Sequence, residues 1–96
     1  MTASLSTHVL DTAAGRPSQG VRVELLRDGT HVAGTETDAD GRARLADGLE
    51  PGSYALVFHP PSPFFTRVEL EIELGDGHHH VPLLVSPYGC ASYRGS

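Results

Sequence analysis

Apolar residues in this chain recur at every second position and nowhere at helical spacing over a useful length. Val68, Leu70, Ile72 and Leu74 alternate with Arg67, Glu69, Glu71 and Glu73, as in a strand with one face on a core and the other in water. Leu5, Thr7 and Val9 share one face of an earlier strand, with Ser6, His8 and Leu10 on the other. Val21, Val23 and Leu25 alternate with Arg22, Glu24 and Leu26, while Tyr54, Leu56 and Phe58 face one way in a further strand. Residues that bend or end strands stand between these runs. Asp28-Gly29 is a hairpin signal, and Asp38-Ala39-Asp40-Gly41, Leu49-Glu50-Pro51-Gly52 and Gly75-Asp76-Gly77 are turns. Asp11 to Gln19 reads as a loop, and Pro60-Pro61-Ser62-Pro63 cannot continue a ladder because proline has no N–H. Short strands separated in this way predict an all-β fold, an antiparallel β-sandwich of about eight strands.

Ninety-six residues make one domain, residues 1–96, near the lower size limit for a self-sufficient core. With no Trp, three Tyr and three Phe, that core must come from Val, Leu and Ile. A domain this small commonly gains stability by oligomerising. The net charge of −5 and the lack of a Lys/Arg cluster argue against a nucleic-acid partner. A single cysteine, Cys90, excludes an intramolecular disulfide and a Cys-based zinc site within one chain. No signal region opens the sequence and no run reaches membrane-spanning length, so the expectation is a cytoplasmic protein without a membrane partner.

The two ends carry the chemistry. His78-His79-His80-Val81-Pro82-Leu83-Leu84 runs through Ser86-Pro87-Tyr88-Gly89 to Tyr93-Arg94-Gly95-Ser96. Leu5-Ser6-Thr7-His8-Val9-Leu10-Asp11 is followed by Gly15-Arg16-Pro17. Both stretches resemble the signatures of the 5-hydroxyisourate hydrolases, transthyretin-like enzymes of urate breakdown, and the family usually places an arginine after the Asp-Gly turn, as Arg42 stands here. The middle of the chain is less specific. Thr37 to Arg42 and Leu49 to Tyr54 also resemble non-enzymatic sandwich modules. Three departures stand out: the family's short helix after the middle strands is cut to Pro60–Pro63, its H-Y-H is His78-His79-His80, and a frequent terminal Tyr is Cys90.

The resemblance implies a transthyretin-like sandwich with that helix shortened or absent. It also implies hydrolysis of 5-hydroxyisourate to the hydroxy-carboxy-ureidoimidazoline by attack of water on a ring carbonyl, without a cofactor. On that reading His8, Arg42, His80 and Ser96 are catalytic and also hold substrate, while Tyr93 and Arg94 bind substrate and place the terminus. His80 and His8 activate water, and Arg42, cationic at all working pH, binds substrate and stabilises the oxyanion. The family's assembly implies a homotetramer, a dimer of dimers, with sites between dimers. Taken singly, a strand histidine or an arginine after a turn is usually a surface residue; the paired motifs reverse that weighting. His31 and His59 match nothing in the family pattern. His78 and His80 point to one side of their strand and His79 to the other. The first two could chelate a metal, but no carboxylate or cysteine accompanies them at ligand spacing, so no metal site is expected. A nucleophilic Ser-His-Asp enzyme is disfavoured by the missing G-x-S-x-G elbow. The alternative function is a non-catalytic ligand carrier or adhesion-type module.

Overall fold

The computed structural model describes residues 1–95 and folds as two packed β-sheets, with no helix among those residues. The strands are β1 (Ala3–Asp11), β2 (Arg16–Pro17), β3 (Arg22–Arg27), β4 (Thr30–Glu36), β5 (Arg42–Leu49), β6 (Gly52–His59), β7 (Val68–Leu74), β8 (Gly77–His80), β9 (Leu83–Ser86) and β10 (Gly89–Ser92). One sheet has the order β4-β3-β6-β7 and is antiparallel throughout. The other is built on β1, which pairs with β5 and then β2 along one edge and with β8 and then β9 along the other. β10 closes that sheet beside β9.

The predicted alternation is met where it was clearest. Leu5, Thr7 and Val9 of β1 are buried, as are Val23 and Leu25 of β3 and Tyr54, Leu56 and Phe58 of β6. Asp28 and Gly29 both have positive φ (51° and 78°), the two-residue hairpin geometry that matches strand twist. Of the alternating β7 residues only Leu74 is fully buried, because β7 is the edge of its sheet and Val68, Leu70 and Ile72 are half-covered.

Two expectations need correction. The sandwich is not wholly antiparallel: β1 runs parallel to β8 and β9. β7 lies in the opposite sheet, so the Gly75-Asp76-Gly77 bend carries the chain across the sandwich rather than back along β7. It then enters alongside the start of β1 in the same direction, which a parallel pair requires. The count also rises from eight strands to ten. Arg16–Pro17, within the stretch read as a loop, pairs with Leu10 and Asp11. The closing run is divided at Val81–Pro82 and turns again into β10.

The interruption at Val81–Pro82 is itself anchored. Pro82 has no N–H to offer, and the buried Thr7 hydroxyl donates to the Val81 carbonyl at 2.6 Å while the Val81 N–H donates to Ser6. In place of a helix, the short connection after β6 uses Ser62. Its Oγ accepts from the N–H groups of Phe64 and Phe65 and donates to the Pro87 carbonyl. Phe64 packs edge-on against Phe65 and Tyr88, tying this connection to the β9–β10 turn. No helix of the described residues is long and apolar enough to cross a membrane.

Candidate functional site

Since β1 buries Leu5, Thr7 and Val9, it must present Ser4, Ser6 and His8 on the opposite, outer face. Its neighbours do likewise. β5 buries Ala43 and Leu45 and turns Arg42 and Arg44 outward, and β8 turns out His78 and His80. Register aligns these residues in rows across three strands. His8 is opposite Arg42, and Ser6 lies between Arg44 on one side and His80 on the other. Ser4 is opposite His78. Residues from both ends and the middle of the chain thus meet on one sheet face, around a cleft of about 250 Å³ that Arg42, Arg44, His80, Ser6 and Asp38 help to line.

The turn before β5 fixes the arginine. Asp38 Oδ1 accepts the N–H groups of Asp40 and Arg42, and Gly41 N–H returns to the Asp38 carbonyl. Gly41 has φ +73°, and a Cβ there would lie 2.5 Å from the Val9 carbonyl oxygen and 2.8 Å from Pro17. Only glycine lets the turn sit this close to β1. The same turn holds His8, whose Nε2–H donates to the Asp40 carbonyl at 2.8 Å. In neutral His8 this leaves Nδ1 as the nitrogen with a free lone pair.

His80 is half-buried, and its Nδ1 lies 2.9 Å from Ser6 Oγ. Burial pushes its pKa below the ordinary 6.5, and the charges of Arg42, His8 and His78 act in the same direction. A neutral imidazole beside a permanent cation pairs a base with an oxyanion partner near neutral pH. The end of the chain lies against this ring. Gly95 N–H donates to the His80 carbonyl at 2.7 Å, and a Cβ on Gly95 would come within 2.9 Å of His80 Cδ2. Ser96, the remaining expected catalytic residue, lies outside the described residues.

Tyr93 and Arg94 are exposed and line a separate groove of about 320 Å³ with Leu70, Ile72, His79 and Val81. Within one chain they do not join the His8–Arg42–His80 face. His79, as expected, points away from its two neighbours, and its Nε2–H donates to the Gly75 carbonyl. His31 and His59 both lie against Glu24 on the other sheet, at 3.8 and 2.8 Å. A larger hollow, about 570 Å³, also belongs to that sheet and carries Arg67, Glu69, Glu71 and Glu73 but no histidine. It offers carboxylates and an arginine but no imidazole, whereas the smaller cleft pairs an imidazole with two arginines. Burial raises the Cys90 thiol pKa, which makes it a poor nucleophile. No group of three or more His, Cys, Asp or Glu among the described residues could hold a metal ion.

Ser4, Ser6 and Arg44 were not singled out by sequence reasoning. Ser6 shares the His8 face by simple alternation, which is the one signal that could have marked it. Ser4 shares that face too and Arg44 shares the face of Arg42, but which of these residues meet across strands is set by register, which a single sequence does not display.

The profile of the HIUase/Transthyretin family matches residues 5–95. The chain belongs to that family. A family member from Rhizobium meliloti named 5-hydroxyisourate hydrolase 2 is 41% identical over 114 residues, covering 96% of this chain and 95% of its own. The 5-hydroxyisourate hydrolase of Caulobacter vibrioides is 43% identical over 112 residues, covering 96% and 97%. Both alignments are longer than this chain, so these HIUase relatives carry residues that it lacks. The structure of Klebsiella pneumoniae 5-hydroxyisourate hydrolase superposes with a TM-score of 0.89 at 37% identity, covering 98% of this chain and 99% of the other. Sea bream transthyretin in complex with thyroxine has a TM-score of 0.83 at 24% identity, covering 95% and 93%. That is a likeness of fold alone.

Proposed function

We propose that this chain hydrolyses 5-hydroxyisourate to 2-oxo-4-hydroxy-4-carboxy-5-ureidoimidazoline in urate breakdown. The observation that carries the proposal is the outer face of β5-β1-β8, where His8, Arg42 and His80 converge from three strands in a chain of this family. His80 takes a proton from water as the oxygen adds to a ring carbonyl carbon. Arg42 faces the oxyanion that forms, with bidentate N–H groups suited to imide-like oxygens. The ring C–N bond then breaks, the leaving nitrogen takes a proton back from His80, and the new carboxylic acid releases its proton to water to leave a carboxylate. His8, locked to the 38–41 turn through Nε2–H, holds substrate and polarises the water from the next row. Ser96 adds a hydroxyl, while Tyr93 and Arg94 place that residue and extend the substrate contacts. Side chains supply both the base and the cation, so this chemistry needs no cofactor.

We place the enzyme in the cytoplasm as a homotetramer, a dimer of dimers. The half-covered row Val68, Leu70 and Ile72 at the β7 edge supports assembly, as does the open, one-sided form of the cleft.

The test is the ultraviolet decay of 5-hydroxyisourate, made from urate by a urate oxidase, with wild type, His80→Ala and Arg42→Glu. Loss of the base lowers kcat by about 10²–10⁴-fold, and reversing the charge at position 42 brings decay to near background. A folded wild type that leaves the decay rate unchanged overturns the enzyme reading and favours a ligand carrier.

A further inference from the structure

Behind His80 lies a row of groups that the hydrolysis above does not use. Ser6 Oγ stands 2.9 Å from His80 Nδ1 and 2.8 Å from His78 Nε2, and Ser4 Oγ stands 2.7 Å from His78 Nδ1. The row alternates Ser4, His78, Ser6, His80 between the adjacent strands β1 and β8. Its inner end is half-buried and His78 is exposed.

A hydroxyl has one proton and two lone pairs, and a neutral imidazole has one N–H and one lone pair. Two arrangements place a proton in each of the three contacts and give Ser6 one donated and one accepted bond. In the first, His80 Nδ1–H donates to Ser6, the Ser6 hydroxyl donates to His78 Nε2, and His78 Nδ1–H donates to Ser4. His80 Nε2 then carries a lone pair. In the second every bond is reversed, and His80 presents Nε2–H. A general base needs the first arrangement.

We propose that Ser6 is the positioning residue that holds His80 in its Nδ1–H form, and that Ser6, His78 and Ser4 give the His80 proton an exit to the surface. Proton balance is simple. A proton enters at His80 Nε2, the Nδ1 proton passes to Ser6, the Ser6 proton passes to His78 Nε2, and the His78 Nδ1 proton leaves by way of Ser4 or water. The row ends in the second arrangement. Running it backward, with a proton taken up at His78 Nδ1 from Ser4 or water and the His80 Nε2 proton given to the leaving nitrogen, restores the base. Burial and Arg42 favour the exit. An imidazolium at His80 is half-buried and faces Arg42, His8 and His78, whereas His78 is exposed and lies within reach of Asp47, itself paired with Arg44. Moving the charge one histidine outward therefore separates it from Arg42 and brings it toward water and the Arg44–Asp47 pair. Geometry limits the row to these two arrangements; the choice of the first, like the exit role, rests on the hydrolase reading.

Long-range proton–nitrogen spectra of the imidazoles read the tautomer without any substrate. Above pH 7, wild-type His80 shows Nδ1–H, and Ser6→Ala reverts to the Nε2–H form that a free imidazole side chain prefers in water. Ser6→Thr, which keeps the hydroxyl, retains Nδ1–H. A wild-type His80 protonated on Nε2, or a tautomer unchanged in Ser6→Ala, overturns the proposal. In turnover, Ser6→Ala lowers kcat by about 10–100-fold with KM nearly unchanged, within the ~10²–10⁴-fold supplied by the base itself, and Ser6→Thr restores it. His78→Gln keeps a polar partner for Ser6 but cannot pass a proton. It lowers kcat about tenfold and changes the solvent isotope effect, within the same general-base contribution. Equal isotope effects in wild type and His78→Gln remove the exit role. A wild type inactive on hydroxyisourate overturns the hydrolase reading, while the spectra still decide the tautomer.

Discussion

At the scale of single residues, the site depends on keeping one imidazole neutral. His80 has a folded-state pKa below 6.5, from burial first and then from Arg42, His8 and His78. The unfolded chain therefore binds a proton at this position more tightly than the folded one. The His80 contribution to stability is complete above pH 6.5 and declines as pH falls through the interval below that value. A nuclear magnetic resonance titration should place the His80 midpoint below 6.5, and Arg42→Gln should move it upward by removing a cation. Gly95 is a second point of control. Its backbone passes so close to His80 that Gly95→Ala must displace either the ring or the chain end. Since Ser6 restrains the ring, the variant should lose hydroxyisourate turnover while its unfolding midpoint in urea changes little. His8, Arg42 and His80 could be picked out beforehand because two motifs from opposite ends of the chain named them. Ser4, Ser6 and Arg44 could not, since serine and arginine on the wet face of a strand look the same whether or not a partner stands beside them.

At the scale of elements, β1 holds the arrangement together. Its inner face is core and its outer face is site, so a register shift of one residue would exchange the two. Thr7 guards against that shift by fixing the junction between β8 and β9. Thr7→Val keeps the shape but leaves the Val81 carbonyl without this donor, so it should cost about 1–3 kcal/mol in urea unfolding. Gly41→Ala combines a left-handed backbone, worth about 1–2 kcal/mol by itself, with a Cβ 2.5 Å from the Val9 carbonyl. It should destabilise the protein and misplace Arg42 together, read as parallel losses of urea midpoint and kcat/KM. Strand positions were legible because alternation reports which face is buried. It does not report which strand lies alongside, so the parallel pairing of β1 with β8 and β9 emerged only in the fold. β2 escaped notice because two residues are too few to form a period.

For the whole molecule, the open cleft and the half-covered β7 edge point to assembly. Sedimentation should give about four times the 10.2 kDa chain mass. Ile72→Lys, a change at a partly exposed position on the sheet edge, should leave a folded but smaller species. A wild-type monomer with full activity would remove the tetramer from the account. The missing helix was visible as Pro60-Pro61-Ser62-Pro63. Its replacement, an aromatic contact from Phe64 to Tyr88 steadied by Ser62, was not, because it joins residues far apart in sequence.

The parallel pairing of β1 with β8 and β9 also bears on how the chain is made. Ser6 and His80 are separated by 74 positions, so during synthesis the first strand emerges from the ribosome long before its partners on that edge. Until residues 77–85 are free, β1 can form a ladder with β5 and β2 alone, and its other edge stays open. An open edge next to a row of apolar side chains is a template for pairing with the wrong chain. Chains stalled before β8 should therefore be held by chaperones or lost to aggregates. Catalytic competence and protection of the oldest strand then arrive in the same late step of translation.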